Sequence, residues 1–502
     1  MDDSAGTMLL VRPRTSPGLA LRSSLVHRCR SGLAVAGAAA LLSASLFSLP
    51  VVGSAAAAEK SRGYIVVLKD SVASPASAAG QQLKKVGGTR TAVYNQALRG
   101  YAATLTPAQA TALAKDSQVR FVSPQRTYKS APPRPPRPPR RLKTTVGCET
   151  FPDDRQCQPL FIDRVRADRS STQSGDGKGA VNGKVAVFEG GVAADVPDLN
   201  VRGGVDCLDG SPVVPGRSLV DNNGHGTLVA GIIGARDDNQ GLVGVAPGTP
   251  LWSVQVSDDN GDISDEALLC GMDWLISTRT DNDPGNDIAI ANLSLGEVDS
   301  EPRDRDDRHC GTVNHDALHL AICKAVDVGI TPVVSAGNER VDLARVVPAA
   351  YDEAVTVTAM ADYDGKPGGR KVPPLCYGTD EGFFGQADDL ASLEFSNFAR
   401  SGTDRRHTLA APGVCMEGNA PLPFHHTVNL GTSFAAPVVS GALALCIHTH
   451  RCSHTNPARN LTTLVRDARV YNQHDPRYGF FGDPHRPIPG HYYGPLIAAH
   501  RY

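Results

Sequence analysis

Gly431-Thr432-Ser433-Phe434-Ala435-Ala436-Pro437, running on into Val438-Val439-Ser440-Gly441-Ala442-Leu443, decides how this chain is to be read. The small and apolar residues predict a buried helix with the polar pair Thr432-Ser433 at its start. Backbone N–H groups point outward there and the helix dipole favours developing negative charge, so a serine hydroxyl in that place suits an acyl-transfer nucleophile. The plainer reading is a capped helix, with Thr432 or Ser433 as cap and Pro437 in the first turn. A nucleophile needs a base, and the choice turns on whether the chain supplies one.

Asp221-Asn222-Asn223-Gly224-His225-Gly226-Thr227-Leu228-Val229-Ala230-Gly231 sets a histidine between two glycines at the head of an apolar run with helical period. Bare backbone on either side leaves the imidazole open to close approach. Earlier, Lys184-Val185-Ala186-Val187-Phe188-Glu189-Gly190-Gly191 reads as a buried strand ending in a carboxylate and a glycine turn. In an open parallel sheet ligands gather beyond the carboxyl ends of strands, within reach of Glu189. Thr331-Pro332-Val333-Val334-Ser335-Ala336-Gly337-Asn338 ends another buried strand in an amide, a neutral and fixed donor suited to an oxyanion.

These four stretches, with the chain order acid, histidine, serine, resemble the subtilisin-like serine proteases. The resemblance implies Ser433 as nucleophile, His225 as general base and acid, and Asn338 as oxyanion donor. Glu189 stands where the family carries aspartate, and Gly190 where it carries threonine or serine. A longer acid keeps the charge that orients the imidazole, so a serine endopeptidase working through an acyl-enzyme on Ser433 is expected. The alternative is a secreted binding protein on the same scaffold with impaired turnover. Asn292-Leu293-Ser294-Leu295-Gly296 resembles the family's substrate-pairing strand, which makes Ser294, Leu295 and Gly296 substrate-binding candidates, with Ser335, Ala336 and Gly337 on the facing wall.

Strand-like stretches at 184–188, 251–256, 287–293, 330–335 and 354–358 alternate with helix-like ones at 225–235, 263–279 and 313–328. Such alternation predicts an α/β fold, a parallel sheet with helices on both faces, over residues 148–502. Ahead of it, strand and helix patterns from Gly63 to Val122 predict a small α+β unit, which resembles the inhibitory propeptide of the family and spans 59–130. Residues 131–147 hold a Pro/Arg repeat, Ala131-Pro132-Pro133-Arg134-Pro135-Pro136-Arg137, whose composition predicts an extended, solvated segment open to cutting.

The N-terminal 1–58 combine a basic region (Arg12, Arg14, Arg22, Arg28, Arg30), an apolar run and the small residues Gly53 to Ala58. That pattern predicts a signal peptide and a secreted zymogen. Losing Cys29 with it leaves ten of eleven cysteines, an even number without the close spacing of zinc ligands, so disulfides are expected and a metal site is not. The cheapest pairings are Cys148–Cys157, Cys310–Cys323 and Cys446–Cys452, with Cys207–Cys270 and Cys376–Cys415 as longer links. Fifty basic against 52 acidic residues, a net charge of −2, gives no pull toward nucleic acid or a membrane surface. The expected partners are polypeptide substrates and the chain's own propeptide, acting on a monomer with no stable membrane anchor. No cofactor is expected; calcium is the only candidate, at Asp258-Asp259-Asn260-Gly261-Asp262 or in the Asp/Arg-rich stretch 297–307.

Overall fold

The computed structural model describes residues 60–130, 148, 155–299, 304–369, 387–422 and 426–502; the predicted leader, the Pro/Arg linker and Cys376 fall outside them. The sheet at the centre orders its strands Leu390–Ala391, Val355–Ala361, Thr331–Ser335, Ile290–Leu293, Val185–Glu189, Leu251–Gln255 and Val201–Asp206, with Thr408–Pro412 also pairing with Val355–Ala361. All of these pairings are parallel except that of Leu390–Ala391. Helices cover both faces, as the alternating pattern predicts.

Strand period then decides which residues meet which helices. Val185 and Val187 enter the core shared with helices His225–Gly234 and Thr432–His448, whereas Ala186 and Phe188 enter the opposite core with helices Asp265–Ser277 and Ala317–Asp327. Two residues beyond Val187 on the same side, Glu189 reaches the face where His225 begins its helix.

The N-terminal unit is a four-stranded antiparallel sheet ordered Thr89–Tyr94, Gly100–Leu105, Arg62–Leu68, Val119–Pro124. Its two helices, Pro75–Val86 and Pro107–Leu113, are capped by Ser74 and by a Thr106/Gln109 capping box. Tyr64, Val66 and Leu68 face those helices, while Ile65 and Val67 join the core under Asp265–Ser277 and Ala317–Asp327. One strand thus serves two cores. At the seam, Asp273 Oδ1 accepts the backbone N–H groups of Asn95, Gln96 and Ala97 at 2.9, 2.6 and 2.8 Å.

Two expected boundaries shift. The stretch predicted as helix 263–279 opens as a strand, Asp262–Ser264, because Ile263 pairs with Tyr128 and Ser264 caps the helix that follows at Asp265. Pro437 lies inside the helix Thr432–His448, past its first turn. Four of the expected disulfides form, Cys148–Cys157, Cys207–Cys270, Cys310–Cys323 and Cys446–Cys452; the fifth involves Cys376, outside the described residues.

Candidate active site

Glu189 and His225 meet. Glu189 Oε2 lies 2.8 Å from His225 Nδ1, and both side chains are fully buried. The close approach depends on glycines: a Cβ on Gly226 would sit 2.0 Å from the Gly191 carbonyl and 2.9 Å from Glu189 Cβ. Asp221 holds the turn before the helix by accepting from the N–H groups of Asn223, Gly224 and Thr227 and from the Thr227 hydroxyl. The extra methylene of Glu189 is therefore accommodated with the imidazole contact intact.

Burial raises the Glu189 carboxyl above its ordinary range, against the pull of His225. For His225 burial acts to lower the pKa, but the Glu189 carboxylate outweighs it and the imidazole is raised above its usual 6.5. Glu189 Oε1 is buried without a hydrogen-bond partner among the described residues. Gly190, lacking a hydroxyl, offers that oxygen no side-chain donor.

Ser433 is the second residue of its helix, and the ring of Phe434 packs against His225 with centroids 4.9 Å apart. The first turns of the two helices therefore adjoin. Ser433 Oγ donates to the Ser294 carbonyl at 3.3 Å rather than to the imidazole, and His225 Nε2 is buried without a partner among the described residues. In the other direction Ser294 Oγ donates to the Ser433 carbonyl at 2.8 Å. That carbonyl is left over because Pro437, four residues on, has no N–H to give it. Asn292 and Ser440 complete the chain, Asn292 Nδ2 donating to Ser294 Oγ at 2.9 Å and Ser440 Oγ to Asn292 Oδ1 at 2.9 Å.

Asn338 Oδ1 accepts from the backbone N–H of Thr432 at 2.9 Å and from its hydroxyl at 3.0 Å. These two bonds fix the plane of the amide at the start of the Ser433 helix. Gly337 donates its N–H to Thr432 Oγ1 at 3.0 Å, Ser335 Oγ donates to the Leu295 carbonyl at 3.3 Å, and Ala336 accepts from Asn397 Nδ2 at 2.8 Å. Of these wall residues Gly337 ties its strand end to the Ser433 helix, and Ser335 ties it to the neighbouring strand end at Leu295.

Sequence reasoning misses a strand that pairs with the candidate substrate-binding residues Leu295 and Gly296. Thr127–Ser130 forms a strand between Leu295–Val298 and Asp262–Ser264, antiparallel to both, with Ser130 opposite Leu295 and Lys129 opposite Gly296. Tyr128 is wholly buried among Ile263, Leu295 and their neighbours. A short polar stretch before a proline run carries no strand signal of its own, since its pairing partners lie far away in sequence.

Several oxygens of the stretches considered for calcium are engaged within the chain, whereas Glu297 Oε2 and Asp306 Oδ2 are buried without a hydrogen-bond partner among the described residues. Asp258 Oδ1 accepts the N–H groups of Asn260 and Asp262, each at 2.9 Å, and Asp262 pairs with Lys129. In the second stretch Asp299 pairs with Arg305, and Asp307 accepts four backbone N–H groups, from His309, Gly311, Val313 and Asn314.

Residues 181–480 match the subtilase family model, and residues 63–131 match that of the peptidase inhibitor I9 family. Subtilisin of Bacillus pumilus is 30% identical over 298 residues, 59% of this chain and 86% of that protein. Subtilisin Savinase of Lederbergia lenta is 31% identical over 290 residues, 58% of this chain and 84% of that one. Subtilisin E of Bacillus subtilis is 28% identical over 298 residues, and the chain spans only 62% of its length. Among solved structures, fervidolysin of Fervidobacterium pennivorans, a keratinolytic enzyme related to subtilisin, superposes with a TM-score of 0.57 at 19% identity, covering 88% of this chain and 60% of that one. The epidermin leader peptide processing serine protease of Staphylococcus aureus does so with a TM-score of 0.55 at 19% identity, covering 88% and 97%.

Proposed function

The chain belongs to the subtilase family of serine peptidases, and on that premise we propose that it hydrolyses peptide bonds with Ser433 as nucleophile, His225 as general base, Glu189 as the orienting acid and Asn338 as oxyanion donor. The observation that carries this reading is the buried 2.8 Å contact between Glu189 and His225, with Nε2 left without a partner among the described residues. Rotation of Ser433 away from the Ser294 carbonyl gives up only a long, weak hydrogen bond at 3.3 Å. His225 then takes the hydroxyl proton as the oxygen attacks the substrate carbonyl. Asn338 Nδ2 and a backbone N–H near Ser433 hold the oxyanion, and His225 returns the proton to the leaving amine. Water repeats the cycle on the acyl group, and no step calls for a cofactor.

Labelling by a fluorophosphonate probe tests the reading: the processed protein should label on Ser433, whereas a binding protein without turnover stays unlabelled. Asn338→Leu is expected to lower kcat by about 10²–10³ with little change in KM, the loss that follows removal of one oxyanion donor in subtilisin. Steady-state kinetics on a peptide substrate measure it. The pH profile carries a further expectation. Protonated His225 cannot accept the serine proton, so kcat/KM falls as pH drops through a value above 6.5, where Glu189 holds the imidazole. Glu189→Gln removes that charge, and the inflection should move down; an unmoved inflection assigns the titration to another group.

Residues 59–130 are proposed as the intramolecular inhibitor, laid into the cleft by Thr127–Ser130, and 148–502 as the catalytic part. Export through the predicted leader is proposed on the leader pattern and on four disulfides, which persist in oxidising compartments. No helix among the described residues is long and apolar enough to cross a membrane.

A further inference from the structure

Arg126, immediately before the strand in the cleft, enters a pocket built by the catalytic part. Its guanidinium donates two hydrogen bonds to Asp316, at 2.8 and 2.6 Å, and longer ones to Asp265 at 3.4 and 3.3 Å. The carboxylates are only 2% and 3% exposed, and the arginine 15%. Backbone bonds fix the register, Arg126 N–H to Asp265 Oδ2 at 2.8 Å and Asp265 N–H to the Arg126 carbonyl at 3.2 Å. Tyr351 donates its hydroxyl to Asp316 at 2.9 Å, Arg305 stands 3.6 Å from Asp316, and Glu297 lies 4.0 Å from Arg126. Burial alone would raise Asp316, yet Arg126 brings it down to about 2.

Both acids serve helix starts as well, Asp316 as cap of Ala317–Asp327 and Asp265 in the first turn of Asp265–Ser277. Helix starts tolerate them, but capping alone does not require two buried carboxylates to face each other across a guanidinium. When the N-terminal unit leaves, Asp265 and Asp316 stay behind without their main counter-ion, and buried unpaired charge is costly. Arg305 compensates little, being already paired with Asp299. The next extended chain to pair with Leu295 and Gly296 runs past the same acids.

We infer that Asp265, Asp316 and Tyr351 form a guanidinium subsite, which selects polypeptide substrates carrying arginine four residues before the residue that pairs with Leu295 and two before an aromatic that fills the Tyr128 slot. The inference rests on the peptidase reading above and adds the substrate class. Two planar acids suit the fork of arginine better than the point charge of lysine, so the order of preference is arginine, lysine, glutamine.

Internally quenched peptides containing Arg-Thr-Tyr-Lys-Ser-Ala, or the same sequence with Lys or Gln first, test it on the processed enzyme. The arginine peptide is expected to have a kcat/KM at least tenfold above the glutamine peptide, chiefly through KM. Asp316→Asn, which keeps a good helix cap, and Tyr351→Phe should each shrink that ratio. Equal cleavage of all three peptides overturns the subsite, whereas failure to cleave any of them or casein overturns the peptidase reading instead. A second measurement needs no turnover: in the full chain carrying Ser433→Ala, hydrogen exchange at Thr127–Ser130 should quicken at least tenfold with Arg126→Gln and less with Arg126→Lys. Unchanged exchange shows that the pocket does not hold the guanidinium and overturns the inference whatever the kinetics.

Discussion

Ser433→Ala is expected to abolish turnover and to leave the chain unprocessed, with kcat down by about 10⁶, the loss that follows removal of the nucleophile in subtilisin. The size follows from the division of labour. Without the hydroxyl no acyl-enzyme forms, and the base and the oxyanion donor have nothing to act on. Folding should be untouched, because Ser433 Oγ makes a single long hydrogen bond and its backbone carbonyl, which Ser294 engages, survives the change. Mass spectrometry of the expressed protein and single-turnover kinetics measure the two consequences. A variant that is still cut at its own linker, in the absence of other proteases, places the nucleophile elsewhere.

Glu189→Ala ranks second, with an expected fall in kcat of about 10⁴, near the figure for loss of the acid in subtilisin. Here two effects combine. The imidazole loses the partner on Nδ1 that fixes its tautomer, and it loses the charge that stabilises its protonated form in the transition state. Glu189→Asp separates them. Aspartate retains the charge but retracts it by one methylene from a contact already made at 2.8 Å. The backbone is held in place by the parallel pairing of Glu189 with Gln255, and by Gly226, which lets the helix start lie against Gly191. We expect Glu189→Asp to fall between the parent and Glu189→Ala in kcat, and a kcat equal to that of Glu189→Ala would mean that reach, rather than charge, governs the step.

Much of the scaffold is legible in the amino-acid sequence. Val185 to Phe188 forms an unbroken apolar run, as a strand buried on both faces must, and the glycines around His225 and Glu189 mark places where backbone and side chain crowd together. The local disulfides follow from proximity along the chain. Other parts were not readable, for definite reasons. Val201–Asp206 is an edge strand interrupted by Arg202, Gly203 and Gly204, which dilutes the apolar signal. Thr127–Ser130 owes its strand to two distant edges and not to its own composition. Arg126 looks like one more solvated arginine beside a basic linker until Asp265 and Asp316, well over a hundred positions away, are brought to it. Glu189 was assigned from chain order, but whether its longer arm would still touch His225 depends on space that only folding creates.

The paired serines carry a mechanical consequence. Ser294 and Ser433 each lend a hydroxyl to the other's carbonyl; when the Ser433 hydroxyl turns away on the proposed path, the bond from Ser294 to the Ser433 carbonyl remains, so the proposed peptide-pairing rim stays fastened to the backbone that carries the proposed nucleophile. On that proposal, a guest seated poorly along Leu295 and Gly296 would shift the Ser433 backbone and mis-aim its hydroxyl, so a bad fit should show itself as slow chemistry as well as weak binding. Discrimination in this molecule would then be exercised partly at the moment of bond-making, by an edge that never touches the bond being broken.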